Sequence, residues 1–127
     1  MVNKEEFLDE IGDNHIATTA QNPVRSDAFE IGDDEKIELI KKDVENILLT
    51  LGMDLTDDSM KGTPNRVAKM FVKELFGGLN PGKKPNASTF ENNYKYGETL
   101  VEKNITLYST SEHHLLPISG KAQVAYI

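Results

Sequence analysis

The 127-residue sequence contains no cysteine, so no disulfide braces it and no thiolate is on offer to a metal ion. No apolar run approaches the roughly 18 residues that a membrane span requires. The opening residues, Met1-Val2-Asn3-Lys4-Glu5-Glu6, lack the basic-then-apolar order of a secretion signal. A soluble cytoplasmic chain with no membrane partner is therefore expected. Positive charge is scarce at one end only. Residues 1–35 hold two basic groups, Lys4 and Arg25, against ten acidic ones, whereas the remainder holds twelve basic against eleven acidic. The net charge of −7 thus belongs to the N-terminal end. No basic stripe interleaved with aromatics is present, so nucleic acid is not an expected partner. A phosphate site inside the near-neutral remainder stays open.

What is present falls into two periods. Residues 1–34 are polar and acidic and read as a flexible extension, with Phe7, Leu8 and Ile11 enough for one helical turn. From residue 35 the pattern is that of a folded domain, 35–127. Ile37, Ile40, Val44, Ile47, Leu48 and Leu51 recur at helical spacing and predict a helix over 35–51. Asp33 or Asp34 suits its N-cap, and Gly52 its left-handed C-terminal cap. Residues 54–62 read as a loop. Thr63-Pro64 then opens a second helix, with Thr63 as N-cap, Pro64 at the first helical position and Val67, Met70, Phe71 and Leu75 as its buried face. Gly77-Gly78 ends it, and residues 79–92, with Pro81, Gly82 and Pro85, form a connection. Strand-like alternation follows over 104–109 and again over 121–127, implying a hairpin. A lone hairpin is marginal in water. A chain ending at Ile127 within a strand pattern is therefore expected to be completed by further chain or by a partner.

Two clusters carry chemistry. His113 and His114 stand side by side between the strands. On an extended segment they would point to opposite sides, one toward a metal and one toward a substrate, with Glu112 able to orient either ring. On spacing alone they suit better the polar groups of an ordinary hairpin end, since a metal site needs three or four ligands. Arg66 and Lys69, three apart near a helix start, share a face. They fit phosphate binding, which the free N–H groups and helix dipole already favour, or simply a solvated basic surface.

The stretch Leu107-Tyr108-Ser109-Thr110-Ser111-Glu112-His113-His114-Leu115-Leu116-Pro117, followed by Gly120-Lys121-Ala122-Gln123-Val124-Ala125-Tyr126-Ile127, resembles the GTP cyclohydrolase I signature. That signature runs approximately S-x-C-E-H-H, then G-K-x-x-V-A-Y-I-P. Gly52-Met53-Asp54-Leu55-Thr56-Asp57-Asp58-Ser59-Met60 and Thr63-Pro64-Asn65-Arg66-Val67-Ala68-Lys69-Met70 also look like the family. Separated motifs in one order are far more specific than a single short pattern. The resemblance implies an α+β fold of N-terminal helices followed by the first hairpin of a T-fold (tunnelling-fold) domain, with the second half of the T-fold absent from this sequence. It implies a homo-oligomer, a decamer in the family, with active sites between subunits. The implied reaction converts GTP and water to formate and 7,8-dihydroneopterin triphosphate, the entry to folate and pterin synthesis.

By the same resemblance His114 would ligate Zn²⁺, which activates the attacking water, and His113 would donate a proton as the imidazole ring opens. Arg66 and Lys69 would reach the triphosphate, and Glu112 would face the substrate. Ser111 stands where the family has its first zinc-binding Cys, and the family's second Cys has no counterpart here. A neutral hydroxyl is a poor zinc ligand beside a thiolate. The expectation is a member of an enzyme family whose isolated chain is inactive. The alternative is an inactive truncated remnant that acts as an oligomerisation module through its exposed strand edge.

Overall fold

The computed structural model describes residues 3–13, 22–91, 93, 95 and 97–127. Its described elements are α1 (Lys4–Asp13), α2 (Asp33–Thr50), α3 (Thr63–Met70), β1 (Leu100–Thr110) and β2 (Pro117–Tyr126), with short helical turns between α3 and β1. Helices followed by an antiparallel hairpin give the α+β order expected. The chain divides into a helical unit, Asn22–Pro85, and a second unit drawn from Met1–Gln21 and Asn86–Ile127. Among the described residues no helix is long and apolar enough to cross a membrane.

In the helical unit, α2 ends as its sequence predicts. Gly52 adopts φ 82°, and the pair Met53 N–H to Leu48 O and Gly52 N–H to Leu49 O, both 3.0 Å, closes the last turn. These bonds satisfy carbonyls that a helix end leaves orphaned. Its start differs from expectation. Gly32 is the N-cap and no side chain caps it, because the helix begins early enough to take Asp33 and Asp34 into its first turn. There, with Glu35, they complement the positive end of the helix dipole.

The second helix also starts and ends differently. Gly62, not Thr63, is the N-cap of α3, and Thr63 is its first helical residue. After Met70 the helix widens into one π-helical turn, Phe71–Leu75, closed by Phe76 N–H to Phe71 O at 2.9 Å. The wider turn shifts the phase of the helix. As a result Val72 is buried and Leu75, expected in the core, is exposed. Ile37, Ala68 and Val72 pack together, with Ile40 against them. Ala68 is wholly inaccessible. Full burial of a side chain the size of Ile37 is worth about 1.5–3 kcal/mol, so few residues carry this core.

Two 3-10 turns, Gly77–Leu79 and Pro81–Lys83, follow, the second capped by Asn80 Oδ1, which accepts from Gly82 N–H at 2.9 Å. Lys83 Nζ lies 3.6 Å from Asp33 Oδ2 and ties this connection to the start of α2. Part of the segment expected to be a flexible extension belongs to the same unit. Val24, Ala28 and Phe29 line a cavity of about 230 Å³ with Ile40, Phe71 and Phe76. Lys36 Nζ sits 4.7 Å above the Phe29 ring, and Phe71 meets Phe76 edge to face at 5.6 Å. Residues 14–21 of the expected extension lie outside the described residues.

In the second unit, α1 runs for ten residues where one turn was expected, with Phe7, Leu8 and Ile11 about half exposed. The strands are longer than their alternation predicts. They pair from Leu100↔Tyr126 to Thr110↔Pro117, with a bulge between Glu102 and Ile105. Asn104, at φ 61°, takes the left-handed conformation there, which asparagine tolerates better than most residues. The bulge reverses the strand's parity. Leu100 thereby joins Ile105 and Leu107 on one face, opposite Tyr126, Ala122 and Gly120, and Ile118 and Val124 share that face. On the other face Lys121 Nζ donates to Thr106 Oγ1 at 2.6 Å across the strands.

The core makes a direct prediction. Ala68→Leu forces extra volume into the α2–α3 contact and should destabilise the chain by about 1–3 kcal/mol. Leu49→Ala, at a half-exposed position, should change stability by less than about 0.5 kcal/mol. Urea unfolding followed by far-ultraviolet circular dichroism checks both. Equal effects of the two substitutions would place the core elsewhere.

Candidate functional site

The residues singled out by sequence fall in two places, each with its own local logic. Arg66 and Lys69 lie on α3 in the helical unit; Ser111, Glu112, His113 and His114 lie in the loop that joins β1 to β2.

The α3 set is delivered by successive turns. Asp54 Oδ1 accepts from Thr56 N–H at 2.9 Å and from its hydroxyl at 2.7 Å. Asp57 Oδ1 repeats the arrangement on Ser59, at 2.8 Å to N–H and 2.5 Å to Oγ. Asp57 O then accepts from Met60 and Lys61 N–H, and Met60 O from Thr63 N–H. This relay places the Ser59 carbonyl over the first turn of α3. Arg66 Nη2 donates to that carbonyl at 2.9 Å and to Thr63 Oγ1 at 2.8 Å. Thr63 Oγ1 in turn donates to Ser59 O at 3.3 Å. Lys69, one turn on, is exposed, and its side chain has no hydrogen bond or ion pair among the described residues. Two cations at a helix start thus differ in kind. One is held, and the other is free to meet an anion from solvent.

Sequence reasoning found Arg66 and Lys69 but not the groups that hold Arg66. The Asp-x-Thr and Asp-x-Ser repeats at 54–56 and 57–59 signal consecutive turns in which a carboxylate accepts two residues ahead. Thr63 and Arg66 stand three apart, the spacing at which side chains meet on a helix.

The second set occupies a six-residue loop, 111–116. Pairing ends at Thr110↔Pro117. Ser111 N–H then donates to Leu116 O at 2.8 Å and Leu115 N–H to Ser111 O at 2.9 Å, with Leu115 at φ 54°. Ser111 Oγ accepts from His113 N–H at 3.3 Å. The chain at His113 and His114 is therefore a turn at the hairpin end, not the extended segment on which the two-sided metal and substrate reading rested. Their rings are 6.5 Å apart and 28° from parallel, so they do not project to opposite sides. In a tight turn successive side chains are separated by far less than the half-rotation of a strand. Glu112, His113 and His114 are exposed and Ser111 is half-buried.

This arrangement bears on the expected metal. Among the described residues no three His, Cys, Asp or Glu side chains converge. Ser111 Oγ accepts from the His113 N–H within the loop. One imidazole beside a neutral hydroxyl falls short of the three protein ligands of a catalytic zinc site. Among the described residues the ligand set therefore stays short of the zinc site that the resemblance implies.

The aspartate turns have a testable electrostatic signature. The Ser59 hydroxyl, and then its N–H, hold the Asp57 carboxyl below the ordinary value of 3.8. Thr56 does the same to Asp54, hydroxyl first. A depressed folded value means that the stabilisation is present above the unfolded value and is lost as pH falls through the folded one. Carbon-detected NMR should find Asp57 titrating below 3.8, and Ser59→Ala should raise it toward 3.8. Titration of the parent at or above that value would contradict the turn.

Comparison with known proteins agrees with these motifs. The family model for GTP cyclohydrolase I matches residues 40–127. GTP cyclohydrolase 1 of Flavobacterium johnsoniae is 78% identical over 127 residues, all of this chain and 57% of that protein. GTP cyclohydrolase 1 of Vibrio cholerae is 50% identical over 93 residues, 73% of this chain and 43% of its own. That of Erwinia tasmaniensis is 42% identical over 112 residues, 88% of this chain and 51% of its own. The chain thus spans about half the length of the curated relatives it matches. The motifs around α3 and the hairpin loop, together with a match over most of the sequence, establish that this chain belongs to the GTP cyclohydrolase I family.

Proposed function

We propose that this chain supplies part of a GTP cyclohydrolase I-type site, hydrolysing GTP to formate and 7,8-dihydroneopterin triphosphate in assembly with like subunits in the cytoplasm. The observation that carries the reading is 78% identity over every residue to a curated GTP cyclohydrolase 1. In it, Arg66 and Lys69 contact the triphosphate. A polyanion draws on both a held guanidinium and a free ammonium, which neutralise charge through charge-assisted hydrogen bonds. Glu112 accepts a hydrogen bond from the substrate. His113 donates a proton as the imidazole ring opens, a task suited to the side chain whose ordinary pKa lies nearest neutrality.

His114 and Ser111 stand at the positions of two family zinc ligands. The ligand set present here does not complete a site, so no step is derived through the metal. By itself the chain is expected not to turn over GTP. Association has its own support. One face of the hairpin carries Leu100, Ile105, Leu107, Ile118, Val124 and Tyr126, all roughly half exposed. The outer edges of both strands are unpaired among the described residues. Unpaired edges and uncovered apolar faces favour pairing with further strands.

Incubating the purified chain with GTP and zinc should yield no formate and no neopterin fluorescence after oxidation. Product formation by the chain alone would contradict the ligand argument. Light scattering should give a mass above 14.2 kDa at micromolar concentration, rising with protein concentration. A constant mass of 14.2 kDa would count against association through the hairpin.

A further inference from the structure

Gly62 is the residue least explained by the fold alone. Its backbone, at φ −97° and ψ −1°, lies in a region open to any L residue, so no turn demands glycine there. The space above it is another matter. A Cβ at residue 62 would lie 2.6 Å from Arg66 Nη1 and 3.6 Å from Arg66 Cζ. The guanidinium rests on the place where a side chain would otherwise be. Its lodging is completed by acceptors. Both hydrogens of Nη2 are used, one by Ser59 O at 2.9 Å and one by Thr63 Oγ1 at 2.8 Å. Of the five N–H donors of a guanidinium, the three on Nη1 and Nε are left without partners among the described residues.

We propose that Gly62 and Thr63 are positioning residues for anion recognition. Gly62 leaves room for the Arg66 guanidinium over the first turn of α3, and Thr63 with the Ser59 carbonyl fixes its orientation, so that Nη1 and Nε are presented to phosphate oxygens. The inference rests on the reading of Arg66 as a triphosphate contact. Its physical content is preorganisation. An arginine stem has many rotamers, and a ligand that must order it loses affinity. Here the ordering is done within the chain, by one absent Cβ and one hydroxyl. The obstructed atom in Gly62→Ala is the far end of a flexible side chain, not backbone. The substitution therefore moves the guanidinium and spares the helix.

The test uses the full chain and inorganic triphosphate as the probe, with affinity measured by titration calorimetry at one low, fixed ionic strength. Gly62→Ala and Thr63→Val should each weaken triphosphate binding by about three- to tenfold, the range of a lost or misdirected charge-assisted hydrogen bond. Their thermal midpoints should stay at or above that of the parent for Gly62→Ala and close to it for Thr63→Val. Thr63→Ser, which keeps the hydroxyl, should restore binding, a rescue that a purely structural role for Thr63 does not predict. Arg66→Ala sets the floor. If Arg66→Ala weakens binding while Gly62→Ala and Thr63→Val do not, the positioning role is wrong and the triphosphate reading stands. If Arg66→Ala binds as the parent does, or the parent binds no triphosphate, the reading of Arg66 fails and the positioning role falls with it.

Discussion

The helical unit depends on one close approach, that of α3 to α2 at Ala68. A methyl group, fully shielded from water, lets α3 settle against Ile37 and Ile40, and Val72 from the following π-helical turn completes the contact. Interiors are packed closely enough that one larger side chain would push these helices apart. That contact fixes the start of α3. The start of α3 fixes where the turns at 54–62 must deliver the chain. Those turns bring the Ser59 carbonyl to Arg66. An apolar seam thus decides the posture of a surface cation, through backbone hydrogen bonds and without any buried charge.

The hairpin follows the opposite rule. None of its described residues is buried. Backbone pairing and cross-strand contacts hold it, which in water is a marginal way to stay folded. Its bulge at Asn104 gathers Leu100, Ile105 and Leu107 onto one face rather than scattering them over two. Among the described residues that face is left about half exposed. The loop it carries is ordered by its own hydrogen bonds, with Ser111 Oγ on the His113 N–H. Histidines can be placed in this way without a metal, but the ligands that would grip zinc are not thereby supplied.

Much of this was legible in the sequence. The stripe from Ile37 to Leu51 marked α2, and Gly52 marked its end, because period and cap are local properties. The stripe overstated the core, since Ile47 and Leu51 remain exposed; periodicity gives a face, not what covers it. The π-helical turn at Phe71–Leu75 had no sequence signature, and it moved burial from Leu75 to Val72. Thr63 looked like a cap because its residue type suits one, but its hydroxyl is drawn into the arginine network instead. His113 and His114 fall between the two strand patterns, and the loop's own hydrogen bonds make a turn of them, so the two-sided placement that an extended segment would give does not arise. The motifs identified the family where spacing alone left both clusters open. The groups around Arg66 were missed because they act through a carbonyl and an absent side chain, neither of which a residue pattern displays.

Two units held by different forces should differ in their resistance to opening. Native-state amide hydrogen exchange on the dilute chain measures this residue by residue. The account predicts strong protection along α2 and at Ala68 and Val72, with the hairpin amides of Leu100–Thr110 and Pro117–Tyr126 exchanging markedly faster. Hairpin protection equal to or above that of α2 in the dilute chain would contradict it.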